Sequence, residues 1–266
     1  MLLDGLEQQD LDVGDVDIVF LTHVHLDHAG GAGELMQRLP NARCVVHPYG
    51  APHMIDPSKL VAGTEAVYGK EQTEAIYGTI VPIAENRIFT PENEQWLELS
   101  GRALQTIYTE GHARHHYVLN DPASKSVFTG DSFGVSYREL DTENGEIVFP
   151  TSTPVHFDPA EAHKSVDRIM ACEPESLFLT HYSRVGNLER LAAEMHEGID
   201  VYVALARQHE NDSDRSTALR DSLFEHYVER LDAHGYSGNR EMIESIMSID
   251  VELNAQGLEV WLGRAK

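Results

Sequence analysis

At 266 residues, with 44 acidic against 20 basic side chains and a formal net charge of -24, the chain has room for one α/β domain with an appendage or for two small domains, and its charge repels nucleic-acid backbones and anionic membranes. Lysine is scarce beside arginine, and a diffuse acidic excess of this kind fits a halophile cytoplasmic surface screened by salt, ahead of an ordinary acidic bacterial enzyme. No apolar run approaches the roughly 18 residues of a membrane span, the opening MLLDGLEQQD has neither half of a signal peptide, and Cys44 and Cys172 are expected as buried free thiols of a reducing cytoplasm.

In chain order, residues 2–10 predict a short helix with Leu2, Leu3 and Leu6 on one side. Val16-Asp17-Ile18-Val19-Phe20-Leu21 predicts a buried strand, residues 29–39 a helix, and Arg43-Cys44-Val45-Val46-His47 a second strand stopped by Pro48. Strand, helix and strand in this order predict parallel pairing. Asp56-Pro57 is a helix-start signal, and Glu71 to Tyr77 predicts another helix; Tyr68 and Tyr77 are read as packing rather than pocket residues. Short strands are expected at Ile80–Ile83, Gln95–Leu99, Ala103–Tyr108, Tyr117–Asn120 and Ser126–Thr129. Residues 133–157 predict a loop. Asp158-Pro159-Ala160-Glu161 then opens a helix, with aspartate as N-cap and proline first inside, running to about Cys172. Ser176-Leu177-Phe178-Leu179-Thr180 predicts a strand. The remainder predicts helices: Leu188 to Leu205 at spacings of 3–4, Leu219 to Leu231 closed by Gly235, and Met242 to Leu253.

The chemistry concentrates in Thr22-His23-Val24-His25-Leu26-Asp27-His28-Ala29-Gly30-Gly31, directly after the first strand. His23 and His25 share one side of an extended backbone, and Asp27 and His28 follow where the strand has ended. There is no His-Glu-x-x-His helix and no Cys-x-x-Cys pair. Three later strands also end in metal-ligand types: His112 after Ala103–Tyr108, Asp131 after Ser126–Thr129, and His181 after Ser176–Thr180. Imidazole and carboxylate without thiolate suit zinc, with manganese or iron as alternatives, and leave positions for water.

These motifs resemble the metallo-β-lactamase superfamily over about residues 15–185. The resemblance implies a four-layer αβ/βα sandwich with two metal ions, expected as zinc. It implies that His23, His25 and His112 hold one ion, that Asp27, His28 and His181 hold the other, and that Asp131 bridges them. A hydroxide shared by two ions is then the nucleophile, and Asp27 is the catalytic proton acceptor or orienter beside it. His116 lies four positions after His112, where the family often has a supporting histidine, and His115 is read the same way; Tyr182 is a supporting residue within reach of substrate. His47, His53, His156, His163, His196, His209, His226 and His234 share no spacing and read as surface or packing residues.

Two features depart from the family. Its first sheet normally begins with several strands before the histidine motif; here they are absent, through truncation, a late start or a natively short chain. The tail, residues 187–266, is similar to the helical extension of glyoxalase II-like enzymes, and a pocket-shaping role and a structural cap or dimer contact are equally open. The expected organisation is a metal-binding catalytic domain at 1–186 and a helical extension at 187–266. The expected activity is hydrolysis of a small ester, thioester or lactone; the alternative is a persulfide-dioxygenase-like oxidoreductase with one iron. A nuclease is disfavoured by the charge, and a non-enzymatic binding protein by the full ligand set. The expected partner is a small molecule, with self-association left open.

Overall fold

The computed structural model describes residues 2–152 and 155–264, apart from the Tyr68 side chain. In chain order its elements are α1 (Leu2–Gln8), β1 (Ile18–Leu21), α2 (Leu26–Ala29), α3 (Ala32–Arg38), β2 (Arg43–Val46), α4 (Ala51–Ile55), α5 (Ser58–Tyr68), α6 (Lys70–Tyr77), β3 (Ile88–Phe89), β4 (Trp96–Leu99), β5 (Arg102–Tyr108), β6 (Tyr117–Asp121), β7 (Ser126–Gly130), α7 (Pro159–Met170), β8 (Ser176–Leu179), β9 (Ser183–Val185), α8 (Leu188–Gln208), α9 (Arg215–His234) and α10 (Arg240–Arg264). The strands belong to two sheets. The chain divides into two compact units, Met1–Thr106 with His115–Tyr117, and Ile107–Arg114 with Val118–Lys266.

In the first unit β1 pairs in parallel with β2, Ile18 opposite Arg43 and Leu21 opposite Val46, and β2 pairs in parallel with β3. The order β1-β2-β3 leaves β1 at an edge among the described residues. Leu21, Val24, Met36, Leu39, Cys44, Val46 and Met54 form this unit's apolar cluster. Burial in it pushes the Cys44 thiol up to about 12. Arg87 fastens the end of α3: its guanidinium donates to the carbonyls of Met36, Leu39 and Ala42, where the last helical carbonyls need donors. The strand expected at Ile80–Ile83 does not form; Pro82 lacks an N–H, and the Ile83 N–H is spent on the Met54 carbonyl at 2.8 Å. The third strand of the sheet is instead Ile88–Phe89. β4 and β5 form a hairpin, Trp96 opposite Gln105 and Leu99 opposite Arg102.

In the second unit β6 and β7 are antiparallel, β7 and β8 parallel, and β8 and β9 antiparallel. Helix α7 makes the crossover from β7 to β8. Its start is as expected: Asp158 Oδ1 accepts from the N–H groups of Ala160 and Glu161 at 3.0 and 3.1 Å. The register of β7 on β8 slips between Phe128 and Gly130, an irregularity that re-aims the residues after it. Helices α8, α9 and α10 lie in this same unit. Leu191, Tyr202, Leu223, Tyr227, Met247 and Leu258 join Val127, Phe149, Ile169 and Leu177 in one apolar cluster. Gly235 closes α9 at φ +85°, the left-handed position that glycine occupies without strain. The α10 helix continues past Leu253 to Arg264, and β9 forms in a stretch expected to be helical. No helix among the described residues is long and apolar enough to cross a membrane, and Cys44 and Cys172 are free thiols.

Candidate metal centre

Each unit carries part of the ligand-type set at the ends of its strands. In the first unit β1 stops at Leu21, and His25 caps α2 with extended dihedrals, φ -61° and ψ 148°. Asp27 and His28 therefore stand on a helical turn rather than in an open loop. His23 Nε2 lies 3.0 Å from His25 Nδ1, and the His28 ring centroid lies 4.0 Å from that of His23. Thr22 Oγ1 is 3.2 Å from His23 Nδ1, which orients the ring and directs Nε2 toward His25. His28 Nε2 lies 3.1 Å from Asp27 Oδ2. His23 is fully buried, whereas Asp27 is exposed.

Residues 115–117 return to this motif. The Tyr117 N–H donates to the Thr22 carbonyl and its hydroxyl to the Val45 carbonyl, both at 2.9 Å. That seats the His116 ring on His23, 4.8 Å between centroids, and brings His115 Nδ1 within 3.4 Å of the Val24 N–H.

In the second unit His112 follows Gly111, whose φ is +117°. A Cβ on Gly111 would lie 2.4 Å from the Ala162 nitrogen, so only glycine lets α7 approach this closely. His112 Nδ1 meets Thr151 Oγ1 at 2.7 Å, leaving Nε2 for Asp131 Oδ2, 3.5 Å away. The other carboxylate oxygen, Oδ1, lies 3.8 Å from His181 Nε2. Asp131 thus turns its two oxygens to two different imidazoles, at distances longer than direct hydrogen bonds. Tyr182, after His181, is exposed, has φ +77°, and sets its ring 4.9 Å from that of Tyr137. The Tyr137 hydroxyl donates to Asp250 Oδ2 at 2.7 Å. Burial raises the Asp250 carboxyl above the ordinary carboxylate range, opposed by that hydrogen bond and by the field of His181.

A small pocket in the second unit is lined by His112, Asp131 and Thr151 and walled by Ala162 of α7 with Met195 and Ile199 of α8. The tail thus contributes two apolar side chains to a pocket that holds two ligand-type residues. Thr151 and Asp250 carry no motif in the sequence: a lone threonine in a loop and an acid within an amphipathic helix announce nothing until the chain is folded.

The donor set fits divalent metal. In each unit imidazole nitrogens and carboxylate oxygens stand at strand ends without thiolates beside them, and His23 and His112 each have Nδ1 held by a threonine hydroxyl. His and Asp groups among the described residues could hold metal ions.

An α/β fold whose strand ends present histidines and aspartates in this order defines a class of metalloproteins. The chain belongs to the metallo-beta-lactamase superfamily, whose family model matches residues 1–181; its members bind divalent metals and are mostly hydrolases. It is similar to the metallo-beta-lactamase fold-containing protein ST1585 of Sulfurisphaera tokodaii, 31% identical over 171 residues, covering 62% of this chain and 60% of that one. It is also similar to the beta-lactamase-like protein 2 homolog of Drosophila melanogaster, 24% identical over 67% of this chain and 48% of that one. The chain thus spans less than two thirds of the length of these curated relatives. The crystal structure of a metallo-beta-lactamase family protein of Thermus thermophilus, TTHA1429, shares the fold at a TM-score of 0.65 and 16% identity, covering 99% of this chain and 80% of that one.

Proposed function

We propose that the chain holds a dinuclear metal centre. In this reading His23, His25 and His112 hold one ion, Asp27, His28 and His181 the other, and Asp131 lies between them. The protein is then a hydrolase of a small ester, thioester or lactone. The observation that carries the reading is Asp131, whose Oδ2 faces His112 and whose Oδ1 faces His181, as a bridging carboxylate requires. The donor set favours zinc, with manganese or iron also compatible.

When bound, such ions supply a water acidic enough to be nucleophilic near neutral pH, and Lewis acidity toward a carbonyl. The chain's residues do the rest. Asp27, exposed beside His28, takes the proton from the attacking water and orients it. Thr151 keeps His112 Nε2 unprotonated and aimed by accepting the Nδ1 proton. Met195 and Ile199 give the acyl portion of the substrate an apolar wall that displaces water.

The same reading places the enzyme in a reducing cytoplasm, supported by the two free thiols, and in a high-salt cell, supported by the net charge of -24. That charge also argues for a small-molecule substrate over nucleic acid or membrane. Self-association through the tail stays compatible with it.

Metal analysis with turnover on a panel of thioesters, lactones and phosphoesters tests the proposal. About two zinc ions per chain are expected with thioester, ester or lactone hydrolysis. Asp131→Asn should keep the fold, lose or weaken at least one ion and lower turnover by about 10²-fold or more. Full metal occupancy with near wild-type turnover would sink the bridging role, and a single iron per chain would replace the hydrolase with an iron oxidoreductase.

A further inference from the structure

The turn that carries His181 is strained. Leu179 of β8 pairs with Ser183 of β9, so Thr180, His181 and Tyr182 make the whole turn between these strands. Tyr182 has φ +77° and Ser183 φ +71°. Successive side chains other than glycine in the left-handed region are costly, and such strain persists only where the surroundings enforce it, most often at functional sites. The surroundings enforce it here. The Ser136 N–H donates to the His181 carbonyl at 3.4 Å. The next residue, Tyr137, backs the Tyr182 ring at 4.9 Å between centroids and a 45° tilt. The Tyr137 hydroxyl donates to Asp250 Oδ2 of α10 at 2.7 Å. Burial and the Asp250 carboxylate push that hydroxyl above its ordinary range, so it stays a donor.

Despite this anchoring Tyr182 is 42% exposed. The strain does not serve packing, because a ring placed for the core would be covered, as Tyr202 and Tyr227 are. The support also stands close to the ligand-type residues, since Asp250 lies in the field of both His181 and Asp131. Asp131 turns Oδ2 to His112 and Oδ1 to His181. The pocket beside His112 has an aliphatic wall, Met195 and Ile199, whereas the group presented beside His181 in the turn is an aromatic ring. The two flanks thus differ in chemistry as the two halves of an ester or thioester can: a chain suits the aliphatic wall, and a planar group suits the ring.

We propose that Tyr182 is the specificity-determining residue for the leaving group, which stacks on its ring, and that Tyr137 and Asp250 are positioning residues that hold the ring in place. The preferred substrate is then an ester or thioester with an aryl or arylmethyl leaving group. The inference rests on the hydrolase reading and gives α10 a part in shaping the site.

The experiment separates binding from turnover. Dissociation constants of benzyl alcohol and cyclohexylmethanol, leaving-group alcohols of similar size, are measured by saturation-transfer nuclear magnetic resonance on the zinc-loaded protein. The ratio favouring benzyl alcohol should fall by about 5-fold from the wild type to Tyr182→Leu, and Tyr182→Phe, which keeps the ring, should hold the wild-type ratio. Asp250→Ala should lower the ratio, and Asp250→Asn, whose amide oxygen still accepts from Tyr137, should restore it. The Tyr182 variants, at an exposed side chain, decide the matter where Asp250→Ala fails to fold. On S-benzyl and S-cyclohexylmethyl thioacetate, Tyr182→Leu should raise KM for the benzyl substrate alone and leave kcat in place. An equal ratio in the wild type and Tyr182→Leu, or its loss in Tyr182→Phe, would overturn the proposal. Absence of turnover on every thioester, with the alcohol ratio still set by the ring, would overturn the hydrolase reading and uphold Tyr182 as the binding group.

Discussion

Replacing Asn254 with alanine removes one amide from α10 and reaches a ligand-type histidine at second hand. Asn254 is 1% exposed. Its Oδ1 accepts from the Ser152 N–H at 2.6 Å and from the Ser152 hydroxyl at 3.1 Å, and its Nδ2 donates to the Tyr227 hydroxyl at 2.9 Å. In the variant the Ser152 hydroxyl keeps the residue-254 carbonyl, at 3.1 Å, and Tyr227 keeps Tyr202, at 2.5 Å. The Ser152 N–H loses this acceptor, at about 1–3 kcal/mol for a stripped buried donor, and the lost Tyr227 bond adds about 1 kcal/mol. The sum, about 2–4 kcal/mol, lowers the melting temperature by about 5–15 °C in a chain of this size. Ser152 adjoins Thr151, which holds His112 Nδ1. A loosened segment lets that ring turn, so, if the proposed centre is right, metal retention against a chelator should fall by up to about 10-fold. Urea unfolding followed by circular dichroism gives the first quantity and a chelator series the second. A loss below about 1 kcal/mol would refute the network's weight. Unchanged metal retention in a clearly destabilised variant would refute its link to His112.

Burial lowers the His47 imidazole from 6.5 to about 4, and its Nδ1 accepts the Tyr49 N–H at 3.1 Å. The unfolded chain binds the extra proton between those values, so stability is full above about pH 6.5 and falls toward pH 4, by up to about 3 kcal/mol; His226, also lowered to about 4 by burial, acts in the same direction. His47→Gln should flatten the stability–pH curve in that window, and an unchanged slope would contradict the assignment. Gly111→Ala sets a Cβ 2.4 Å from the Ala162 nitrogen at φ +117°, and should cost at least about 2 kcal/mol; a wild-type melting temperature would show that α7 yields. With a net charge of -24, the melting temperature should rise strongly from about 0.1 M to above about 1 M salt, where screening acts within about 3 Å; a flat or falling curve would end the halophile reading.

Local signals in the chain located most elements. Alternation and β-branching marked β1, β2 and β4 to β8, and the Asp158-Pro159 start placed α7 to the residue. The His-x-His-x-Asp-His run and the three later strand ends were legible as ligand-type residues because a polar residue at a strand terminus leaves a sequence mark: an apolar run, then the polar residue, often with glycine. Where the apolar run had no sheet partner the mark misled. Ile80–Ile83 is as apolar as a strand, but Pro82 and the Ile83–Met54 hydrogen bond keep it out of the sheet. The polar stretch Ser183-Arg184-Val185 pairs with β8 without any periodic signal.

What composition, periodicity and capping determined by themselves was the class of fold, the order of its elements and the residue types at the strand ends, since each depends on neighbours within a few positions along the chain. Tertiary structure alone decided that Thr151 supports His112, that Asn254 of the tail holds Ser152, and that Met195 and Ile199 share a pocket with Asp131. It also decided that His163 and His196, read from the sequence as unrelated helix-face residues, face one another with crossed aspartates. Those pairings join residues 33 to 102 positions apart, and side-chain contact over such separations is set by how helices and strands pack, which no local spacing encodes.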